Sequence, residues 1–187
     1  MQNNAPFGTL VLASASPRRR EMLASLGLSF DVIVPEIDET PRPGEAPRAF
    51  VERMAKEKAE TVQDERIVIA ADTVVVLQNR ILGKPADEAH ASEMLSTLSG
   101  ASHEVITGTC IRQGGRFEVF SVSTEVVFRE LEKAEIEAYI ATGCPMDKAG
   151  AYAIQGGAAH MVRSINGSYT NVVGLPLCEL YEMLISF

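Results

Sequence analysis

The chain has 187 residues, 46% of them hydrophobic and 22% charged, a balance that excludes wholesale disorder and suffices for a single domain, 1–187, with a substantial core. With 17 basic against 25 acidic residues the formal net charge is −8, which argues against a general binder of nucleic acid or anionic membrane and requires a locally basic site for any phosphate-bearing ligand. Cys110, Cys144 and Cys178 are odd in number and form no CxxC pair, so neither a disulfide framework nor a zinc knuckle is expected. No apolar run approaches the roughly 18 residues of a membrane span. The opening MQNNAPFGTL has neither the basic stretch nor the apolar core of a secretory leader, so a cytoplasmic location is expected.

In chain order, residues 9–14 read as a short buried strand. Ser16 follows as a helix N-cap, with Pro17 at the first helical position, Met22, Leu23 and Leu26 on the apolar face and Gly27 as the stop. A second strand, 30–34, runs into an acidic loop with Glu36, Asp38 and Glu39, and Pro- and Gly-rich 40–47 reads as an exposed connection. Residues 48–64 carry Val51, Met54, Ala55 and Val62 at helical spacing. The apolar run 67–77 is broken only by Asp72-Thr73, and Gln78-Asn79 turns it into Ile81-Leu82. Asp87 caps a helix bearing Ala91, Met94, Leu95 and Leu98 and ending at Gly100. Stretches 103–112 and 116–128 flank Gln113-Gly114-Gly115 as an extended hairpin, and helices are predicted at 132–142 and 176–186 with a Gly-rich segment between them. Early alternation of strands and helices with a late hairpin predicts a three-layer α/β fold with a mixed sheet.

Three features carry chemistry. Arg18, Arg19 and Arg20 crowd the first turn of a helix, where the macrodipole disfavours cations; an anion held by N–H groups, hydroxyls and guanidinium would account for them, and a solvated patch paired with Glu21 is the alternative. The GxxxxGK[ST] phosphate loop is absent. Lys58 lies in the apolar stripe of its helix and needs an acidic partner or a ligand unless it snorkels to the rim; its removal is expected to raise folding stability rather than lower it. Asp72 requires a strand end, a cleft or a metal, or else caps a turn, and Glu39 in another strand-following loop could join it at a hard-metal site completed by phosphate oxygens. His90, His103 and His160 have no metal-ligand spacing, and no G-x-S-x-G elbow is present.

Taken together, Ala13-Ser14-Ala15-Ser16-Pro17-Arg18-Arg19, Glu57-Lys58-Ala59, Ala71-Asp72-Thr73, Gly83-Lys84-Pro85, Asp147-Lys148-Ala149-Gly150-Ala151-Tyr152 and Ile165-Asn166-Gly167-Ser168-Tyr169 resemble, in order, the Maf family of nucleoside triphosphate pyrophosphatases. The resemblance implies a mixed α/β fold of two lobes and a deep groove, related to the inosine-triphosphatase architecture. It further implies hydrolysis between the α and β phosphates, dependence on Mg²⁺ or Mn²⁺, and a homodimer. Carried over by position, Asp72 resembles the general base, Ser14, Arg19, Glu39, Lys58 and Lys84 the polar groove residues, and Arg18, Thr73 and Gln155 the positions that distinguish subfamilies. Asp147–Tyr152 and the segment after Asn166 are similar to the branch acting on dTTP and UTP. A nucleotidyltransferase, or a nucleotide-binding regulator of septum formation, is the alternative reading.

Overall fold

The computed structural model describes residues 7–187, so the leader-free reading of residues 1–6 lies outside the described residues. The elements are β1 (Leu10–Ala13), α1 (Pro17–Ser25), β2 (Phe30–Ile33), α2 (Pro47–Thr61), β3 (Val68–Leu77), β4 (Arg80–Leu82), α3 (Glu88–Leu98), β5 (Ser102–Gln113), β6 (Arg116–Phe128), α4 (Lys133–Ile140), β7 (Val162–Asn166), α5 (Tyr169–Val173) and α6 (Leu177–Ser186). The fold is mixed α/β with a seven-stranded sheet in the order β2-β1-β3-β5-β6-β7, with β4 paired to β3 off this path. β1 runs parallel to both β2 and β3, while β3–β4 and β6–β7 are antiparallel. Parallel neighbours at β1 require crossovers, which α1 and α2 supply.

Local chemistry explains most of these elements. Ser16 accepts from the Arg19 N–H and Pro17 occupies the first turn of α1, as the sequence predicts. Asp87 accepts from the His90 N–H at the start of α3. Gln78 and Asn79 both take positive φ, 49° and 64°, the left-handed pair that a two-residue β3–β4 hairpin requires. The predicted helix 48–64 is displaced. Pro47 begins α2 rather than ending the loop, and the helix stops at Thr61 with Val62 already extended. The cause is tertiary, because the Arg112 Nη2 donates to the Val62 carbonyl at 2.5 Å and draws the chain off the helical path. β7 and α5 are not expected from the sequence; they occupy the segment read only as Gly-rich, and Gly167-Ser168 joins them.

The described chain forms two compact units: residues up to 72 with 107–122 and 174–187, and residues 73–106 with 123–173. β3, β5 and β6 contribute residues to both. In the first unit Val11 and Ala13 of β1 pack with Ala55, Ala59, Val62, Val68, Ala70 and Cys110. The small residues allow close approach: a Cβ on Gly108 of β5 would come within 2.3 Å of the Val51 carbonyl oxygen.

The second unit is built on Leu95, Leu98, Phe128, Ile136, Tyr139 and Met161, which are buried together. His103 is buried among them, its Nε2 at 2.8 Å from the Tyr152 hydroxyl and its ring edge-on to Phe128. Burial pushes its pKa down to about 4 from an ordinary 6.5. Because the folded value lies below the unfolded one, this contribution to stability is complete above pH 6.5 and is lost as pH falls towards 4. The denaturant midpoint should therefore decline from pH 6.5 downward, before the carboxylates begin to protonate. The His103 ring resonances should titrate near 4, and a midpoint near 6.5 would show that the folded ring is freely hydrated.

Candidate active site

Ser14 leaves the end of β1 buried, and its Oγ accepts from the Ser16 N–H at 3.2 Å and from Arg19 Nη1 at 3.4 Å. Arg19 is turned inward at the first turn of α1, its Nε donating to the Gly174 carbonyl at 2.7 Å. Arg18 is half-buried beside it and Arg20 is exposed. Burial pushes the Arg19 pKa down, the Asp72 and Glu39 carboxylates oppose that shift, and the Arg18 charge adds to it. The helix start therefore gathers the Ser14 and Ser16 hydroxyls and two guanidinium groups with acidic side chains in electrostatic reach.

Lys58 meets the requirement that its apolar surroundings impose. It lies on the buried face of α2 with Val51, Met54, Ala55 and Ala59, in the last turn, where the helix dipole favours a cation. Its Nζ donates to Asp72 Oδ1 at 2.7 Å and to Glu39 Oε1 at 2.6 Å. The three side chains are 9%, 14% and 48% exposed for Lys58, Asp72 and Glu39. The expectation that removing Lys58 would raise stability is corrected by this geometry. The ammonium separates two carboxylates, so its loss would leave an acidic pair without its counter-charge.

Asp72 neither ends a strand nor caps a turn. It sits inside β3, half-buried after buried Ala71, and the strand continues through it because Lys58 compensates the carboxylate. Thr73, the next residue, is also half-buried. Lys84 and Gln155 belong to the second unit, and both side chains are exposed. Lys84 lies in the turn after β4, where the Gly83 carbonyl accepts from the Gly150 N–H at 3.0 Å. Gln155 opens onto Gly156 and Gly157, the latter at φ 92°. Among the described residues no group of three or more His, Cys, Asp or Glu side chains converges as a metal site, which leaves Glu39 and Asp72 as the acidic oxygen donors of the cluster. Sequence reading missed the Gly174 carbonyl, which carries no side-chain signal and lies 155 residues from its donor Arg19.

A mixed α/β sheet carrying a basic helix start and a carboxylate–ammonium–carboxylate triplet defines a protein suited to a phosphate-bearing, anionic ligand. The profile of the family described as Maf-like protein matches residues 9–187, and the chain belongs to the Maf family. It is 58% identical over 182 residues to a dTTP/UTP pyrophosphatase of Geobacter sulfurreducens, covering 95% of each chain. It is 49% identical over 183 residues to a dTTP/UTP pyrophosphatase of Photorhabdus laumondii, covering 96% of this chain and 94% of that one. Among solved structures, the Ham1 protein of Staphylococcus aureus is similar at 17% identity over 64% of this chain and 71% of that one, with a TM-score of 0.48.

Proposed function

We propose that the chain is a nucleoside triphosphate pyrophosphatase that hydrolyses dTTP and UTP between the α and β phosphates. The observation that carries the reading is Lys58 bridging Glu39 and Asp72 beside an inward-turned Arg19, in a chain 58% identical to a relative of that name. In the reaction, water adds at phosphorus, the α–β anhydride bond breaks, and a nucleoside monophosphate and pyrophosphate leave. Asp72 accepts the proton of the attacking water, oriented for this by the bond from Lys58 to Oδ1. Ser14, Arg18, Arg19, Lys58 and Lys84 hold the triphosphate, supplying the local positive charge that an acidic chain lacks overall.

Glu39 and Asp72 are hard oxygen donors already sharing one cation, and two carboxylates completed by phosphate oxygens suit Mg²⁺ or Mn²⁺. When bound, such an ion neutralises charge on the phosphate oxygens. The same reading makes the chain one folding domain that works as a homodimer in the cytoplasm, where free nucleotides are found.

The test is incubation with UTP and Mg²⁺ in the absence of any acceptor. The monophosphate and pyrophosphate are the expected products; a nucleoside diphosphate with inorganic phosphate would move the scissile bond to the γ phosphate and end the proposal. Dependence on a second substrate would favour a nucleotidyltransferase.

Gln155 and Thr73 are assigned to recognition of the base and its surroundings. A glutamine amide can accept from the N3–H of uracil or thymine and donate to O4, a pairing that cytosine reverses. Gln155→Ala is expected to lower kcat/KM for UTP by about tenfold, the size of one neutral hydrogen bond, while metal dependence is unchanged. The ratio of UTP to CTP efficiency is the deciding quantity, and an unaltered ratio means that Gln155 braces the loop instead.

A further inference from the structure

The loop that carries Glu39 is fastened to α2 through a side chain outside the catalytic cluster. Arg53 Nε and Nη2 donate to the two carboxylate oxygens of Glu45, each at 2.6 Å. Its Nη2 also reaches the Thr40 carbonyl at 3.3 Å, one residue from Glu39. The remaining nitrogen, Nη1, donates to both oxygens of Glu57, four residues along the same helix. Glu45 accepts in addition from the Arg42 N–H at 3.0 Å. On the other flank of Glu39, Asp38 Oδ1 accepts from the Thr40 N–H at 3.0 Å and from its hydroxyl at 2.6 Å.

Both chain neighbours of Glu39 are thus tied down while its own side chain is 48% exposed. A half-exposed carboxylate on a loop has many rotamers and backbone states open to it, and the ion pair with Lys58 does not by itself remove them. The fork on Glu45 is of a different kind from a surface ion pair, because the two side chains are only 14% and 10% exposed and the guanidinium is engaged on both edges.

We propose that Arg53 is a positioning residue: by clamping residues 40–45 to α2 it sets Glu39 in register with Lys58, five residues further along the same helix. The guanidinium is paired on the loop side by Glu45 and on the helix side by Glu57, with Arg42 donating to Glu57 from the loop at 3.3 Å. Arg53 holds the Glu45 carboxyl at about 2, so the clamp stays charged across the neutral range. The inference rests on the reading of Glu39 as a site residue given under Proposed function, and it adds a side chain to the machinery that reading names.

Two measurements on the full chain decide it. Amide hydrogen exchange in the free protein reads the loop without any catalysis: Arg53→Met should speed exchange across 38–45 by about tenfold or more, while exchange within α2 holds. A kinetic cycle reads the coupling. Arg53→Met is expected to lower kcat/KM for UTP about tenfold in the wild-type background and less than twofold in Glu39→Gln. Arg53→Lys keeps the charge but not the fork and should fall between. Glu45→Gln weakens the same clamp from its other side and serves if the Arg53 variants do not fold. Unchanged exchange, or an equal kinetic penalty in both Glu39 backgrounds, overturns the proposal. If the wild-type chain releases no pyrophosphate, the functional reading fails on its own, and the exchange experiment still decides whether Arg53 holds the loop.

Discussion

Asp72→Asn is expected to lower the turnover of UTP by ~10²–10⁴, the usual range for losing a general acid–base group, without unfolding the chain. The substitution is nearly isosteric, and the amide oxygen can still accept from Lys58 at the position now held by Oδ1. What disappears is the capacity to take a proton. β3 should tolerate the change, because the buried runs 68–71 and 74–76 on either side of the Asp72-Thr73 pair keep the strand in place. The measurement is kcat from pyrophosphate release, alongside a melting curve for each protein. Activity retained within about threefold removes Asp72 from proton transfer and leaves it a partner of Lys58.

Lys58→Ala is expected to damage both activity and stability. A charge-assisted hydrogen bond is worth about 1.5–3 kcal/mol, so loss of the ammonium should reduce kcat/KM by roughly one to two powers of ten. Stability should fall by about 2 kcal/mol. Breaking a fully buried pair costs about 3–5 kcal/mol, and the figure here is smaller because the Glu39 side chain is 48% exposed and regains water. The double variant Lys58→Ala with Asp72→Asn isolates the cause. It should recover most of the lost stability, since the half-buried charge that Lys58 had compensated is gone, but none of the activity. A stable Lys58→Ala protein would mean that the ammonium snorkels in solution and that the two carboxylates are hydrated without it.

Much of the fold was legible because its signals are local. The α1 cap, the Pro at its first turn and the β3–β4 hairpin follow from which dihedral angles and side-chain acceptors a few adjacent residues allow. The long hairpin of β5 and β6 follows from two β-rich stretches about a Gly-Gly turn. The end of α2 was misjudged because a bond from Arg112 to the Val62 carbonyl, fifty residues away in the chain, decides it. β7 and α5 are not legible in the sequence because β7 has three polar residues among its five and α5 is little more than one turn, so neither shows the apolar run that marks the equally short β1.

The same division runs through the site. Sequence alone determined that Lys58 sits in an apolar stripe, that Asp72 interrupts an apolar strand and that three arginines crowd a helix start, and the ordered motifs pointed to one family. Each is a conflict between a residue and its immediate neighbours, and such conflicts can be read from periodicity and burial cost without coordinates. Only the tertiary structure decided how they are resolved. Lys58 answers to both Asp72 and Glu39, Arg19 to a backbone carbonyl at Gly174, and the loop holding Glu39 to Arg53. Those partners are chosen by chain closure and sheet order, which bring distant segments within hydrogen-bond reach and leave no trace in local spacing.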